Sequence, residues 1–416
     1  MSAKLKGKPY VHTMINKVMY ALVMFLANAL VTRALGTALK GEYTYVINVA
    51  NIVAIIAGLG VYQSIPFYNR KADGKYDVVQ EYLNIFILQF IVYFLISAIV
   101  FIVCGYKISI ALICMLVLVD TLSQQLNMLL LIHDIFMRNR IFIWGAYVNL
   151  VASVFCYIFA KDNLVAAVFV LVVMKLFYVI GYIIVSGRFP KPFQVKWKTF
   201  IEKVHFGYIP MLSFLMITLN YKVDVLMLKA AKSVSRTQLS YYSTGVAIAE
   251  LAWFIPDVFK EVLFSKTAKN NNYDEISAVI RISNAVIFCI ILGIIALGRP
   301  FIGIVYGKEF VPSYGVTIML FLGIPAMSWF KIIYTLFNAQ GKRKTSFSVL
   351  GASAVINIGM NFATIPYLGI YGAALASIVS YIVCGIVFII LYAKLSGDKV
   401  RNLIIMKKSD IKVLLR

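Results

Sequence analysis

The stretch from Tyr82 to Cys104, YLNIFILQFIVYFLISAIVFIVC, contains no charged residue. A helix needs about 20 consecutive apolar residues to cross the hydrocarbon core of a bilayer. This stretch therefore predicts a membrane-spanning helix, and comparable runs recur along the rest of the chain.

The whole chain of 416 residues is 62% hydrophobic. Soluble domains use roughly 45–50% apolar residues and could not bury the excess. No cleavable signal peptide is predicted, because the first apolar run is long and contains Asn16, Lys17 and Arg33. We predict an all-α integral membrane protein whose twelve spans are 12–34, 44–67, 82–104, 109–132, 141–160, 164–186, 207–228, 241–263, 279–297, 315–338, 347–366 and 372–394.

A basic segment with two prolines separates the first six spans from the last six. The predicted regions are an N-terminal six-helix bundle (1–186), a cytoplasmic linker (187–206), a C-terminal six-helix bundle (207–394) and a basic cytoplasmic tail (395–416). Two bundles of six spans can be parallel repeats, related by a pseudo-two-fold axis along the membrane normal. Tyr43 at the entry to the second span, and Tyr241 and Tyr242 at the entry to the eighth, suit an interfacial aromatic belt.

The net charge of +23 is explained by orientation in the membrane. With both termini cytoplasmic, the inside segments hold about 25 Lys and Arg and the outside segments about 8. The positive-inside rule favours that orientation. The basic residues form no aromatic-laced patch of the kind that binds nucleic acid, so no nucleic-acid partner is predicted.

Cysteine and histidine spacing predicts no metal or cofactor. No CxxC or HExxH-type pairing occurs, and the cysteines lie within or at the ends of apolar runs. The residues concerned are Cys104, Cys114, Cys156, Cys289, Cys384, His12, His133 and His205.

Several motifs, in their order and spacing, resemble one family of transporters. They are ALGTALKGEYTYV (34–46), GLGVYQSIPFYNRK (58–71), YKVDVLML (221–228), YYSTGVAIAELAWFIPDVFKEVLF (241–264), IVYGKEFVPS (304–313) and YLGIYGAALAS (367–377). The chain resembles the oligosaccharide (Wzx-type, O-antigen flippase-like) flippases of the MOP superfamily, which also contains the MATE drug exporters and the lipid II flippases. IVYGKEFVPS also reads as a short outside turn, and YLGIYGAALAS as a small-residue packing face.

The resemblance implies a non-enzymatic flippase of the bacterial cytoplasmic (inner) membrane. Its substrate would be a polyprenyl-diphosphate-linked oligosaccharide, moved by alternating access for surface polysaccharide assembly. The implied partners are membrane lipids and the polysaccharide polymerase and assembly proteins, and no cofactor is implied.

Charges near the middle of spans are the sharpest functional signals. An ionisable group at a helix centre costs about 2.5–3.5 kcal/mol on insertion scales, so it needs a partner, water or a function. Asp120, Lys175, Glu250 and Lys331 lie at or within about a turn of mid-depth. They are expected either to line a polar cavity or to form structural ion pairs.

The candidates divide by charge and polarity. Cationic and amide groups suit phosphates and sugar hydroxyls, and carboxylates suit a coupled proton or sodium ion. Asn357 and Asn361 are spaced to share one helix face, as hydrogen-bonding glue or along a wet path. The substrate-binding candidates are Lys175, Lys331, Lys222, Arg33, Asn127, Asn357 and Asn361, and the ion-coupling candidates are Asp120, Glu250 and Asp224.

Three other readings compete. A MATE-like cation-coupled drug exporter would use membrane carboxylates, but the first span offers none. The lipid II branch usually carries spans after the twelfth. A membrane-embedded polysaccharide polymerase or glycosyltransferase needs acid, base or metal ligands, which the short loops do not supply.

Overall fold

The structure is a computed structural model that describes residues 9–72, 77–257, 273–340 and 342–410. The chain falls into two compact units, Met1–Leu215 (unit 1) and Met216–Arg416 (unit 2). Both units are built from long helices joined by short turns.

The first helices belong to unit 1, and α7 runs from unit 1 into unit 2. Their bounds are α1 Pro9–Ala57, α2 Ile65–Ala72, α3 Val78–Val103, α4 Ile108–His133, α5 Ile135–Phe159, α6 Leu164–Ser186 and α7 Trp197–Ala230. Unit 2 continues with α8 Arg236–Ala252, α9 Tyr273–Val305, α10 Tyr314–Ala339, α11 Arg343–Ser396 and α12 Val400–Ile404. Short 3₁₀ turns form at Tyr62–Ser64, Pro192–Gln194, Lys308–Ser313 and Lys408–Asp410.

In the described part of the chain, nine helices are long and apolar enough to cross a membrane. Two of them, α1 and α11, are interrupted by glycines with non-helical backbone, Gly36 (φ 59°) and Gly369 (φ 55°). Glycine tolerates this left-handed φ because it lacks a Cβ. Each of these two helices is therefore two spans, and the shorter α8, with 17 residues, completes the twelve. The predicted all-α membrane fold with twelve spans is confirmed.

The second span was predicted at 44–67, but in the structure it both begins and ends earlier in the sequence. Helical backbone resumes directly after Gly36 and runs through the polar residues 40–43. Lys40 is buried there: its ammonium donates to Asn28 Oδ1 at 3.1 Å. The helix ends at Ala57, because Leu59 and Gly60 have positive φ. The segment predicted as a loop between the first two spans is therefore helical, and its lysine is buried with an asparagine as hydrogen-bond partner.

The predicted linker 187–206 is helical over its second half. Gly187 (φ 61°) ends α6, and α7 begins at Trp197, ten residues before the predicted start at 207. Lys203, in this extension, has no exposed side-chain surface, and its ammonium lies 2.7 Å from Glu81 Oε1. A basic residue that suggested a solvated segment is instead part of a packed helix.

The turn predicted from IVYGKEFVPS is confirmed. Gly307 has a φ of 111°, and a 3₁₀ turn from Lys308 to Ser313 separates α9 from α10. The aromatic-belt prediction is wrong for Tyr43 and Tyr242, which are 5% and 0% exposed. Both tyrosines are packed inside their units.

The small-residue face predicted in YLGIYGAALAS is confirmed as packing. Ala373, Ala374, Ala376 and Ser377 on α11 are fully buried. The same helix also approaches α10 closely further along, where a Cβ built on Gly385 would lie 2.2 Å from the carbonyl oxygen of Ala326. Small residues permit such backbone contact between spans, where lipid supplies no hydrophobic driving force.

Replacing Gly385 with alanine is expected to lower the stability of unit 2 by about 1–3 kcal/mol, because backbone atoms must move to admit the methyl group. The matched control is Gly359→Ala on the same helix, where a Cβ would meet nothing within 4 Å. Thermal unfolding in detergent measures both. Equal unfolding midpoints for the two variants would contradict the close contact.

The segment after α11 packs against α9. The guanidinium of Arg281 donates to both oxygens of Asp410, from Nε at 2.7 Å and from Nη2 at 2.6 Å. Its Nη1 donates to the carbonyl oxygen of Asn402 at 3.2 Å, and Leu403 beside it is fully buried. Part of the predicted basic tail is therefore a packed element of unit 2.

This contact predicts a dependence on pH. The hydrogen bonds from Arg281 lower the pKa of the Asp410 carboxyl below its ordinary value of 3.8. A carboxyl whose pKa is depressed by folding stabilises the folded state above its unfolded pKa, and that contribution is lost as pH falls through the lowered value. We expect residues 400–410 to stay docked at pH 5 and to be released only below about 3.8.

Hydrogen exchange of residues 400–410 between pH 3 and 7, corrected for the intrinsic rate, measures this release. Asp410→Asn should abolish the pH dependence and expose the segment throughout the range. A wild-type segment that is equally protected at pH 3 and pH 7 would contradict the prediction.

Candidate functional site

The middle of unit 1 contains an ion pair between two adjacent helices. Lys175 Nζ on α6 lies 2.6 Å from Asp120 Oδ1 on α4. The Asp120 side chain is 7% exposed and that of Lys175 is 25% exposed. A lone charge at this depth would be costly, and each group here stabilises the charged form of the other. The two mid-span charges predicted on these helices are therefore partners.

Further polar groups on α4 extend this pair. Gln124 donates from Nε2 to Asp120 Oδ2 at 3.2 Å, and Tyr62 donates to Gln124 Oε1 at 3.4 Å. Asn127, one turn further, accepts from Arg138 Nε at 2.8 Å and from Tyr182 at 3.2 Å. The spacing 120, 124, 127 places these groups on one face of α4.

We call these residues together the unit 1 polar cluster. It combines two cations with amide and phenol groups, the side chains that bind phosphates and hydroxyls. Its members are Tyr62, Asp120, Gln124, Asn127, Arg138, Lys175 and Tyr182.

Four of these members, Tyr62, Gln124, Arg138 and Tyr182, were not among the predicted site residues. Arg138 lies near the start of α5 and counted only as an orientation signal, although its guanidinium is 5.2 Å from the ring centre of Phe142. Tyr62 and Tyr182 look like ordinary aromatic residues of apolar runs. A search for polar groups at i, i+4 and i+7 on α4 would have found the face but not its partners.

Unit 2 contains a second ion pair. Lys331 Nζ on α10 lies 2.9 Å from Asp257 Oδ2, just after α8. The ammonium also lies 4.9 Å from the ring centre of Trp253, which in turn is 4.4 Å from that of Tyr221. The Lys331 side chain is 12% exposed. Lys260, three positions after Asp257 in the sequence and thus able to pair with it on one helix, lies outside the described ranges.

Asp224 on α7 is a buried carboxylate held by hydroxyl groups. It is 2% exposed and accepts hydrogen bonds from Tyr242 on α8 and, at 3.1 Å, from Ser377 on α11. Its other oxygen accepts from the amide of Val225 at 2.8 Å. Among the described residues, no lysine or arginine forms an ion pair with it. We call Asp224, Tyr242 and Ser377 the Asp224 cluster.

The two predicted asparagines of α11 are fully buried. Asn361 donates to Asn357 Oδ1 at 2.9 Å, which confirms that they share a face, and Asn357 donates to Ser380 at 3.2 Å. Asn220 on α7 donates to Ser353 at 3.0 Å. The bonds of Asn357 to Ser380 and of Asn220 to Ser353 connect separate spans inside unit 2.

The remaining predicted residues differ in their exposure. Arg33 and Glu250 are exposed, and Lys222 is half-buried. In the described ranges, no group of three or more His, Cys, Asp or Glu side chains is placed to hold a metal ion.

Twelve apolar spans with charges paired at mid-depth define a multi-pass helical membrane protein. No family model and no curated protein sequence matches the chain. Solved structures share its fold over nearly the whole length. The lipid II flippase MurJ, in an inward closed conformation, is 13% identical, with a TM-score of 0.69 over 97% of this chain and 91% of that one.

Two structures of a multidrug resistance MATE family transporter of the MOP superfamily show the same likeness. The inward-facing one is 14% identical, with a TM-score of 0.66 over 94% of this chain and 98% of the other. The outward-facing one is 14% identical, with a TM-score of 0.60 over 95% and 94%. The chain therefore has the fold of MOP transporters.

Proposed function

We propose that this protein is a flippase that moves a polyprenyl-diphosphate-linked oligosaccharide across the bacterial cytoplasmic membrane for surface polysaccharide assembly. Its fold, shared with a lipid II flippase over 97% of the chain, supports this class of function. The observation that carries the choice of substrate is the unit 1 polar cluster, in which Lys175 and Arg138 stand among amide and phenol groups.

The chemistry of such a substrate demands a polar route. Moving a hydroxyl group from water into hydrocarbon without a hydrogen bond costs roughly 4–8 kcal/mol, and an oligosaccharide has many. A diphosphate adds negative charge that lysine and arginine can pair with. In the proposed transport step the head group contacts polar side chains while the polyprenyl tail stays in lipid.

Alternating access is the proposed mechanism, with the substrate region opening first to the cytoplasm and then outward. No covalent step is needed. Asp224 is the best placed of the three ion-coupling candidates, because it is buried and bonded only to neutral groups among the described residues. A proton or sodium ion there would neutralise its charge.

Proteoliposomes containing a fluorescent polyprenyl-diphosphate oligosaccharide test the proposal. Wild-type protein should make substrate from the inner leaflet accessible to an impermeant external quencher much faster than in empty liposomes. Lys175→Ala with Lys331→Ala should abolish this transfer, and Lys344→Ala, an exposed lysine at the start of α11, serves as control. Undiminished transfer by a normally inserted double variant would count against the substrate class.

A MATE-like cation-coupled exporter is the second candidate, favoured by the likeness to MATE transporters and by Asp224. It predicts gradient-driven movement of organic cations by the same proteoliposomes and no transfer of the lipid-linked sugar. A third reading, a membrane-embedded polymerase or glycosyltransferase, predicts formation of a sugar bond without translocation.

A further inference from the structure

Unit 1 contains a cavity of about 700 Å³ where the start of α3 meets the segment leading into α7. The end of α2 contributes Lys71 to its wall, α3 contributes Gln80 and Asn84, and the start of α7 contributes Thr199 and Lys203. In the predicted orientation this side of the molecule faces the cytoplasm.

Two of the three acidic residues that line the cavity form ion pairs with lysine or arginine side chains of the protein. Lys203 Nζ lies 2.7 Å from Glu81 Oε1 and 4.9 Å from the ring centre of Tyr68. Arg188 Nε lies 2.6 Å from Asp77 Oδ2, and that bond helps lower the pKa of the Asp77 carboxyl, which keeps it ionised. The negative charges of Glu81 and Asp77 are therefore already balanced by Lys203 and Arg188.

Hydrogen bonds fasten the segment after α6 to α3. Gln80 Nε2 donates to the carbonyl oxygen of Phe189 at 2.7 Å, and the amide of Lys191 donates to Asn84 Oδ1 at 2.7 Å. These bonds fix the start of α3 and the segment after α6 against each other beside the cavity.

The remaining charges favour an anion. Lys71 and Lys196 line the cavity, are exposed, and form no ion pair with any described residue. Glu202 is the one lining acid outside the two pairs. Arg70, Lys191 and Lys198, also exposed, add positive charge on the same segments.

Three aromatic side chains project from the segment beside the cavity. Phe193 is 91% exposed, Phe189 87% and Trp197 68%. Aromatic residues next to lysines at the start of a span fit the interface between head groups and acyl chains.

We propose that this cavity binds the phosphate head group of an anionic phospholipid from the leaflet that it faces, with Lys71 and Lys196 as its cationic contacts and Phe189, Phe193 and Trp197 seated in the interface around it. The inference is independent of what the protein transports. A juxtamembrane lysine contributes roughly fivefold to binding of an anionic membrane, so two should contribute about 25-fold.

The full-length protein with Trp197 as its only tryptophan (Trp144→Phe, Trp253→Phe, Trp329→Phe) provides a local probe in nanodiscs. Brominated phosphatidylglycerol in an unlabelled phosphatidylcholine background should quench Trp197 at a mole fraction well below that needed of brominated phosphatidylcholine. Lys71→Gln with Lys196→Gln should reduce this preference by about 25-fold. Lys399→Gln, a lysine of unit 2, is the matched control.

Equal quenching by the two brominated lipids, no quenching at all, or a double variant that behaves like Lys399→Gln would overturn the proposal. Displacement of the quencher by millimolar inorganic phosphate would show that a free anion is the ligand, and would overturn the choice of a lipid. If the tryptophan variant does not fold, the thermal midpoint of protein with its native tryptophans replaces the probe. Phosphatidylglycerol must then raise that midpoint above the phosphatidylcholine value, and the lysine double variant must lose the rise.

Discussion

Changing Asp120 to leucine, or Lys175 to methionine, is expected to destabilise unit 1 by about 3–5 kcal/mol, because each single change leaves one uncompensated charge in the membrane. The pair lies at 2.6 Å with an almost fully buried carboxylate. The double change Asp120→Leu with Lys175→Met removes both charges and should recover most of the stability, since apolar residues of similar volume often replace a buried pair without loss.

The double variant separates the two roles that the sequence left open. If Lys175 also binds substrate, the variant Asp120→Leu with Lys175→Met will be stable but inactive in the proteoliposome assay. Thermal unfolding reports the stability and quencher access reports the transfer. Single variants as stable as the wild type would contradict the ion pair, and a fully active double variant would remove Lys175 from the transport route.

Asp224→Asn is expected to leave unit 2 folded and to abolish the dependence of transport on a proton or sodium gradient. An amide keeps much of the shape of the Asp224 cluster but cannot ionise. Tyr242→Phe removes a hydrogen bond to a charged acceptor and should lower the stability of unit 2 by about 1.5–3 kcal/mol, which thermal unfolding measures.

Substrate transfer measured with and without imposed ion gradients tests this. Ser396→Ala, on the same helix as Ser377 but bonded to the carbonyl oxygen of Ala393 at the helix end, is the matched control. Gradient dependence that persists in a well-folded Asp224→Asn variant would exclude this carboxylate as the coupling site and leave Asp120 and Glu250 as candidates.

The span count could be predicted because the cost of exposing backbone and charge to lipid imposes long apolar runs on the sequence. The boundaries were harder where a polar residue is buried. Lys40 and Lys203 both suggested solvated segments, yet each lies within a helix, bonded to Asn28 and Glu81 respectively.

The candidate residues could be identified because an ionisable group within a span is energetically costly. Their interaction partners could not be identified from the sequence. A mid-span charge stands out in any sequence window, so Asp120, Lys175 and Lys331 were visible. Tyr62, Arg138 and Tyr242 were not, because a tyrosine or a helix-end arginine is common in membrane spans. Their hydrogen bonds to Gln124, Asn127 and Asp224 appear only in the folded units.

The pattern of apolar runs is enough to predict that this chain crosses a membrane about a dozen times, and on which helices its charges lie, because hydropathy is a local property of consecutive residues. The folded units were needed to show that Lys175 contacts Asp120, 55 positions away in the sequence, and that Asp224 accepts from hydroxyl groups and not from a cation. Those pairings depend on which helix faces come together, and the packing of small residues that selects the faces is a property of the whole unit.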